Sequence, residues 1–227
     1  MSTDPISARR EIPDATVARL PVYLRALHPL ISSGVEVVSS EELAKLAGVR
    51  SAGLRKDLSY LGSYGVRGVG YDVERLTTEI TRQLGLQQPW SVAIIGMGNL
   101  GHALAAYSGF ETRGFEVQWL VDHDPEIVGT EISGIRVVDF QEFAATVTDQ
   151  VIVVVATPPA AAQSVADAVV AVGVRSILNF APGVLSVPGH TQVRRVDLAT
   201  ELQILAFHEQ RGKSESRVAG DGFGAGR

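Results

Sequence analysis

The sequence predicts an α/β chain in two domains, a small helical module with a β-hairpin followed by a parallel-sheet domain. Three observations predict it. From residue 91 onward, strand-length apolar runs alternate with helix-length segments, the pattern of a parallel sheet covered on both faces. Residues 45–70 carry Lys45, Arg50, Arg55, Lys56 and Arg67 against the single acid Asp57, in a chain whose net charge is −5. At the start of the alternating region, an apolar strand at 91–95 runs directly into Gly96-Met97-Gly98-Asn99-Leu100-Gly101.

The bulk properties narrow the classes. A chain of 227 residues holds two small domains, each able to bury its own core. With 45% hydrophobic and 20% charged residues, it has the balance of an ordinary soluble protein. The absence of cysteine excludes disulfides and thiolate metal sites, so any redox sensing must pass through a bound molecule. No apolar run reaches membrane-spanning length and residues 1–8 carry no apolar signal core, so a cytoplasmic protein is expected.

In chain order, residues 1–13 are polar, and 16–32 read as an amphipathic helix with Val17, Leu20, Leu24, Leu27 and Leu30 near helical spacing. Pro21 marks either a kink or a late start. Residues 35–38 are extended. Ser39 and Glu42 form a capping box opening a helix at 41–47, Gly48-Val49-Arg50 is a turn, and a second helix runs from Ser51 to about Leu61. Helix, glycine turn and helix in a locally basic stretch outline a helix-turn-helix. Residues 62–71 alternate glycine with Tyr64, Val66, Val69 and Tyr71, as a hairpin wing would, with Arg67 near its tip. An Arg there can enter a minor groove. Asp72 caps a helix with Val73, Leu76, Ile80 and Leu84 inward, and 85–89 is the expected domain boundary.

In the glycine loop, the first glycine permits a tight turn, the second lets backbone approach a pyrophosphate, and the third lets the helix at 103–107 pack on the strand. A second strand at 117–121 ends at Asp122, about 20 residues on, where a carboxylate accepts from ribose hydroxyls. Followed by His123, Asp124 and Glu126, with no Arg or Lys nearby, it favours NAD over NADP. Further strands at 135–138, 151–156 and 176–180 alternate with helices at 140–146 and 160–171. Ligands bind such sheets at the carboxyl ends of the strands, which makes Thr157 and Asn179 candidates as well. Their alternatives are a helix cap and a turn residue bonded to its own backbone. After a late strand at 193–196, Asp197 begins a helix with apolar Leu198, Leu202, Ile204, Leu205 and Phe207. That helix must be buried, on its own domain or in a partner subunit. Residues 212–227 are expected to be a disordered tail.

The order of these pieces resembles the Rex family of redox-sensing transcriptional repressors over most of the chain. The resemblance is carried by Ala18-Arg19-Leu20-Pro21, Leu54-Arg55-Lys56-Asp57-Leu58-Ser59-Tyr60, Val66-Arg67-Gly68-Val69-Gly70-Tyr71, the loop from Gly96 to Gly101, and Val196-Asp197-Leu198. It implies a winged helix-turn-helix over 1–85, a Rossmann domain over 86–211 and a terminal helix swapped within a homodimer. It implies operator DNA contacts from Arg55, Lys56, Ser59 and Arg67. NAD(H) contacts are implied from Gly96, Met97, Gly98, Asn99, Leu100, Gly101 and Asp122, and a coupling network from Arg19, Tyr107 and Asp197. NADH rising relative to NAD⁺ would release the DNA. Leu198 stands where the family can place an aromatic residue near the nicotinamide, which leaves ring stacking without a partner there.

The competing reading is an NAD-dependent dehydrogenase with an accessory N-terminal domain. Such an enzyme needs a general acid or base beside the nicotinamide. None of His28, His102, His123, His190 and His208 stands with a carboxylate in a catalytic spacing, and no lysine lies between Lys56 and Lys213. The sequence therefore predicts a repressor and not an enzyme.

Overall fold

The computed structural model describes residues 12–62, 64–66 and 68–221. The chain divides into two compact units, Met1–Gln88 and Pro89–Arg227.

The first unit begins with α1 (Asp14–Val17) and α2 (Leu20–Ser32). Expected as one helix, this stretch breaks at Ala18–Arg19, and Pro21 falls in the first turn of α2, where its missing N–H leaves no bond unmade. Strand β1 (Val37–Val38) leads to α3 (Ser40–Leu46), capped by Ser39, whose hydroxyl accepts from the Glu42 amide at 3.1 Å. The turn follows, then α4 (Ser51–Leu61). Strands β2 (Gly65–Val66) and β3 (Gly70–Asp72) pair antiparallel, with β1 on the other side of β3, forming the expected wing. Helix α5 (Val73–Gln83) starts at Asp72, whose carboxylate accepts from the Arg75 amide at 2.8 Å. Leu20, Tyr23 and Leu27 of α2 meet Leu43, Leu54, Leu58, Leu76 and Ile80 in one core, all fully buried.

The second unit is built on a seven-stranded sheet. Its strands are β4 (Trp90–Ile95), β5 (Phe115–Val121), β6 (Glu131–Ile132), β7 (Ile135–Val138), β8 (Val151–Val155), β9 (Ser176–Asn179) and β10 (Gln192–Arg195). Their order is β10-β9-β8-β4-β5-β7-β6, all parallel except the edge strand β6. Helices α6 (Asn99–Ala105), α7 (Phe140–Thr146) and α8 (Pro159–Ala171) supply the crossovers. Alternate strand residues feed two cores: Ala93 and Ile95 join Phe143, Ala162 and Val169 on one face, and Val92 and Ile94 join Met97 and Leu120 on the other. Burial on both faces is why these strands read as continuous apolar runs.

Two boundaries differ from the sequence reading. Helix α6 starts at Asn99, four residues earlier than the pattern of apolar residues suggests, because the glycine loop is itself the approach to its first turn. The last helix, α9 (Leu198–Asp221), runs past Gly212, where a disordered tail was expected to begin. The segment after Gly212 contains no proline, and Gly212 and Gly220 inside the helix cost only about 1 kcal/mol each. Residues 222–227 lie outside the described residues. No described helix is long and apolar enough to cross a membrane.

Candidate functional site

In the second unit, the chain leaves β4 toward β5 on one side and reaches β8 on the other, so the strand order reverses between β4 and β8. Loops diverge at such a point and leave a crevice at the carboxyl ends of the strands. A cleft of about 550 Å³ lies there, lined by Gly96, Gly98, Asn99, Leu100, Asp122, His123, Phe140, Thr157 and Val165 among others. The three glycines do different work. Gly96 holds φ +101°, and a side chain on it would meet the Ala156 carbonyl and Thr157 at 2.9 Å. Gly101 sits with its Cα against the Gly96 carbonyl oxygen, leaving no room for a Cβ. Gly98 faces open space, with nothing within 4 Å of a would-be Cβ. It caps α6 without any side-chain bond, so the first amides of α6 are left to a ligand or solvent.

Asp122 ties this cleft together. One carboxylate oxygen accepts from the Met97 amide at 2.6 Å, and the other from the amides of His123 (2.7 Å) and Asp124 (3.0 Å). Burial pushes its carboxyl up, but those three donors outweigh the burial and hold it below the usual carboxylate range. An acceptor so placed suits vicinal hydroxyls and repels a phosphate. Asp122→Ala should weaken binding of NADH by about 1–3 kcal/mol, the scale of a charge-assisted hydrogen bond lost. Titration calorimetry checks this; unchanged affinity would overturn the ribose role expected of Asp122.

The remaining sequence candidates separate. Thr157 lines the cleft, and its buried hydroxyl finds no hydrogen-bond partner among the described residues. A group of that kind calls for a ligand or water. Asn179 is 1% exposed, and both ends of its amide are occupied by Ala181, through Nδ2 to the carbonyl and Oδ1 from the amide, each at 3.0 Å. The alternative reading holds: Asn179 shapes its turn and does not reach the cleft. Met97 is corrected too. Its side chain is core and its amide donates to Asp122, so it joins the loops and does not face a ligand. His123, Phe140, Ser164 and Val165 were missed by the sequence reading, since they come from loops and helices that only the sheet order brings together.

In the first unit, Arg55, Lys56 and Ser59 lie on the exposed face of α4, opposite buried Leu54, Leu58 and Leu61. Arg67 lies outside the described residues. Asp57, the lone acid of the basic stretch, is 2% exposed and turned inward. It accepts from Thr16 Oγ1 (2.9 Å), Arg19 Nε (2.6 Å) and Nη2 (2.7 Å), and the Tyr23 hydroxyl (2.5 Å). Burial opposes its charge, and the bonds from Arg19, Tyr23 and Thr16 overcome that to lower its pKa; burial and Asp57 together push the Tyr23 phenol up to about 12. The outer surface of α4 is therefore free of acids of its own.

Of the proposed coupling residues, each has a partner inside its own unit. Arg19 holds Asp57. Tyr107 packs edge-on against Phe110 and its hydroxyl accepts from Arg113 at 3.1 Å. Asp197 accepts from the amides of Ala199 and Thr200 at 3.1 Å, capping α9. Leu198, Leu202, Ile204, Leu205 and Phe207 of that helix are all exposed.

Comparison with known proteins bears on both units. Residues 11–59 match the family model described as "Putative DNA-binding protein N-terminus", and residues 87–183 match "CoA binding domain". The redox-sensing transcriptional repressor Rex of Streptomyces griseus is 59% identical over 219 residues, covering 96% of this chain and 87% of that protein. The one from Desulfitobacterium hafniense is 45% identical over 200 residues, 87% of this chain and 95% of its own. Among solved structures, RSP in complex with β-NAD⁺ and operator DNA aligns with a TM-score of 0.83 at 33% identity, over 93% of this chain and 99% of that one. RSP in complex with β-NADH aligns with a TM-score of 0.79 at 32% identity, over 91% and 98%.

Proposed function

Because this chain belongs to the Rex family of redox-sensing transcriptional repressors, we propose that it binds operator DNA and releases it when NADH rises relative to NAD⁺. One observation carries the reading: a single chain holds a basic, outward-facing α4 in one unit and a cleft lined by the glycine loop and Asp122 in the other. We assign operator binding to residues 1–85, with Arg55, Lys56, Ser59 and Arg67 in contact with DNA. Dinucleotide binding belongs to 86–211, where Gly96, Gly98, Asn99 and Leu100 form the cradle, Asp122 holds the ribose and Thr157 closes the far wall. We place it in the cytoplasm, as a repressor of the bacterial family it belongs to.

The bound nicotinamide supplies a ring that is cationic when oxidised and neutral when reduced. Gly96 to Gly101 and Asp122 meet only parts common to both forms, so they cannot discriminate. Discrimination requires apolar surroundings that disfavour the cation. The apolar face of α9, seated in a second copy of this chain, is the surface that supplies them. Moving an operator-competent population from 99:1 to 1:99 takes about 5.5 kcal/mol of differential affinity, or about 2.7 per site for two sites. We assign the coupling of the two binding events to Arg19, Tyr107 and Asp197, each of which keeps a partner within its own unit: Arg19 holds the start of α2 to α4 through Asp57, so that drawing Arg19 away would loosen α4.

Operator retention on titration with NADH and with NAD⁺ tests the function. NADH should release the duplex and NAD⁺ should not; equal response to the two forms would overturn the assignment, and oxidation of NADH by common aldehydes or keto acids would favour the dehydrogenase. A second expectation concerns assembly. Deleting residues 198–227 should yield monomers whose affinity for an inverted-repeat operator falls at least tenfold, since two recognition helices must span about 34–36 Å. A truncated chain that still sediments as a dimer would place the interface elsewhere.

A further inference from the structure

On the outer face of α4, Arg55 is not a free cation. Its Nη1 donates to Glu41 Oε1 at 2.8 Å and to Ser40 Oγ at 3.0 Å, while Ser40 Oγ donates in turn to Glu41 Oε2 at 3.0 Å. Glu41 and Ser40 belong to the first turn of α3, so the triangle bridges both helices of the helix-turn-helix. It borders a groove of about 510 Å³ whose other wall is the wing, at Val66, Gly68, Gly70 and Tyr71.

Stability does not explain this arrangement. Both partners are exposed, with side-chain exposures of 50% for Arg55 and 69% for Glu41, and ion pairs of that kind contribute little. Nor does helix capping require it, because the cap is made by Ser39 to the Glu42 amide. A carboxylate beside a polyanion lowers affinity for every duplex alike. Its effect on Arg55 is different. A free Arg sweeps a wide arc and takes whatever phosphate it meets, whereas a held guanidinium presents its remaining donors in one direction. Base reading depends on such fixed geometry, and phosphate contact does not. Nε and Nη2 of Arg55 bond to none of the described residues and remain for that purpose.

We infer that Glu41, with Ser40, is a specificity-determining positioning residue: it holds Arg55 in one orientation, trading general affinity for discrimination between operator and other DNA. The inference rests on the reading of α4 as the DNA-facing helix. Ser39-Ser40-Glu41 thus does two jobs, capping α3 and aiming a residue fourteen positions beyond Glu41.

The test measures affinity for two duplexes of equal length, one selected from random sequence by the wild-type protein and one scrambled, across a salt series. Four proteins are compared: wild type, Glu41→Ala, Arg55→Ala and the double variant. Glu41→Ala should bind scrambled DNA more tightly, with a log–log salt slope steeper by about 0.9 as Arg55 becomes a phosphate contact. Its operator-to-scrambled ratio should fall about tenfold, the scale of one bidentate base contact. In the Arg55→Ala background the same substitution should leave the ratio unchanged, because removal of a negative charge alone shifts both affinities together. A ratio unaltered by Glu41→Ala, or lowered equally in both backgrounds, overturns the inference while leaving the DNA-facing helix intact. Wild-type operator affinity in Arg55→Ala would instead overturn the helix assignment and the inference with it.

Discussion

Asp57→Ala should abolish operator binding while the dinucleotide unit stays folded and continues to bind NADH. The substitution leaves three residues without their acceptor: Thr16 and Tyr23, both buried, and Arg19, whose guanidinium made two of the four bonds. The two buried hydroxyls left without an acceptor cost about 1–3 kcal/mol each, while Arg19, 41% exposed, turns to solvent. Small domains have total stabilities near the lower end of roughly 5–15 kcal/mol, so the loss takes most of what this unit has. Both tryptophans, Trp90 and Trp119, lie in the second unit, whereas Tyr23, Tyr60, Tyr64 and Tyr71 lie in the first. Denaturant unfolding followed by tryptophan emission should therefore be unchanged, with the tyrosine-reported transition shifted strongly down. A tyrosine transition within 1 kcal/mol of wild type would show that the tetrad is dispensable.

The same carboxyl gives a pH dependence of definite sign. Its folded-state pKa lies below the usual range, so its contribution is fully present above the unfolded value near pH ~4 and is lost as pH falls through the lowered folded value. Asp57→Asn should flatten the acid side of the tyrosine-reported stability curve. Glu79 and Glu41 of the same unit are lowered as well, so some acid sensitivity remains.

Gly101→Ala should lose NADH affinity by about a hundredfold or more, about 2.8 kcal/mol, and leave a repressor that holds its operator at NADH concentrations that just saturate the wild type. The backbone at Gly101 is ordinary helix, so the barrier is space and not conformation. A Cβ would overlap the Gly96 carbonyl oxygen and press on the Met97 side chain. The carbonyl cannot step aside. Gly96 is fixed by the hydrogen bond that its N–H donates to the Val121 carbonyl and by the Ala156 backbone on its other side. Helix α6 must retreat instead, carrying its uncapped first amides and Gly98 away from the cleft. Calorimetry with NADH, paired with operator retention, reads both parts; an affinity within threefold of wild type would show that α6 can shift without opening the cradle.

What the sequence determined by itself is whatever local spacing encodes. Turn glycines, caps at Ser39, Asp72 and Asp139, period-2 and period-3.6 runs, and the strand–glycine–helix–strand–acid order each depend on residues a few positions apart. The winged helix-turn-helix, the parallel sheet and the position of the cleft beside Gly96 and Asp122 were legible for that reason. Tertiary structure alone decided which side chains those elements bring face to face. The charge count over 45–70 set Asp57 against five bases, yet burial removes it from the surface to pair with Arg19, 38 residues away. It began after Glu41, the acid that does stand beside Arg55. Asn179 and Thr157 stand at equivalent strand ends, but a local turn satisfies Asn179 while nothing described satisfies Thr157. Whether a polar group is free for function depends on what approaches it through space. That proximity follows from packing the whole chain, which no short stretch of sequence contains.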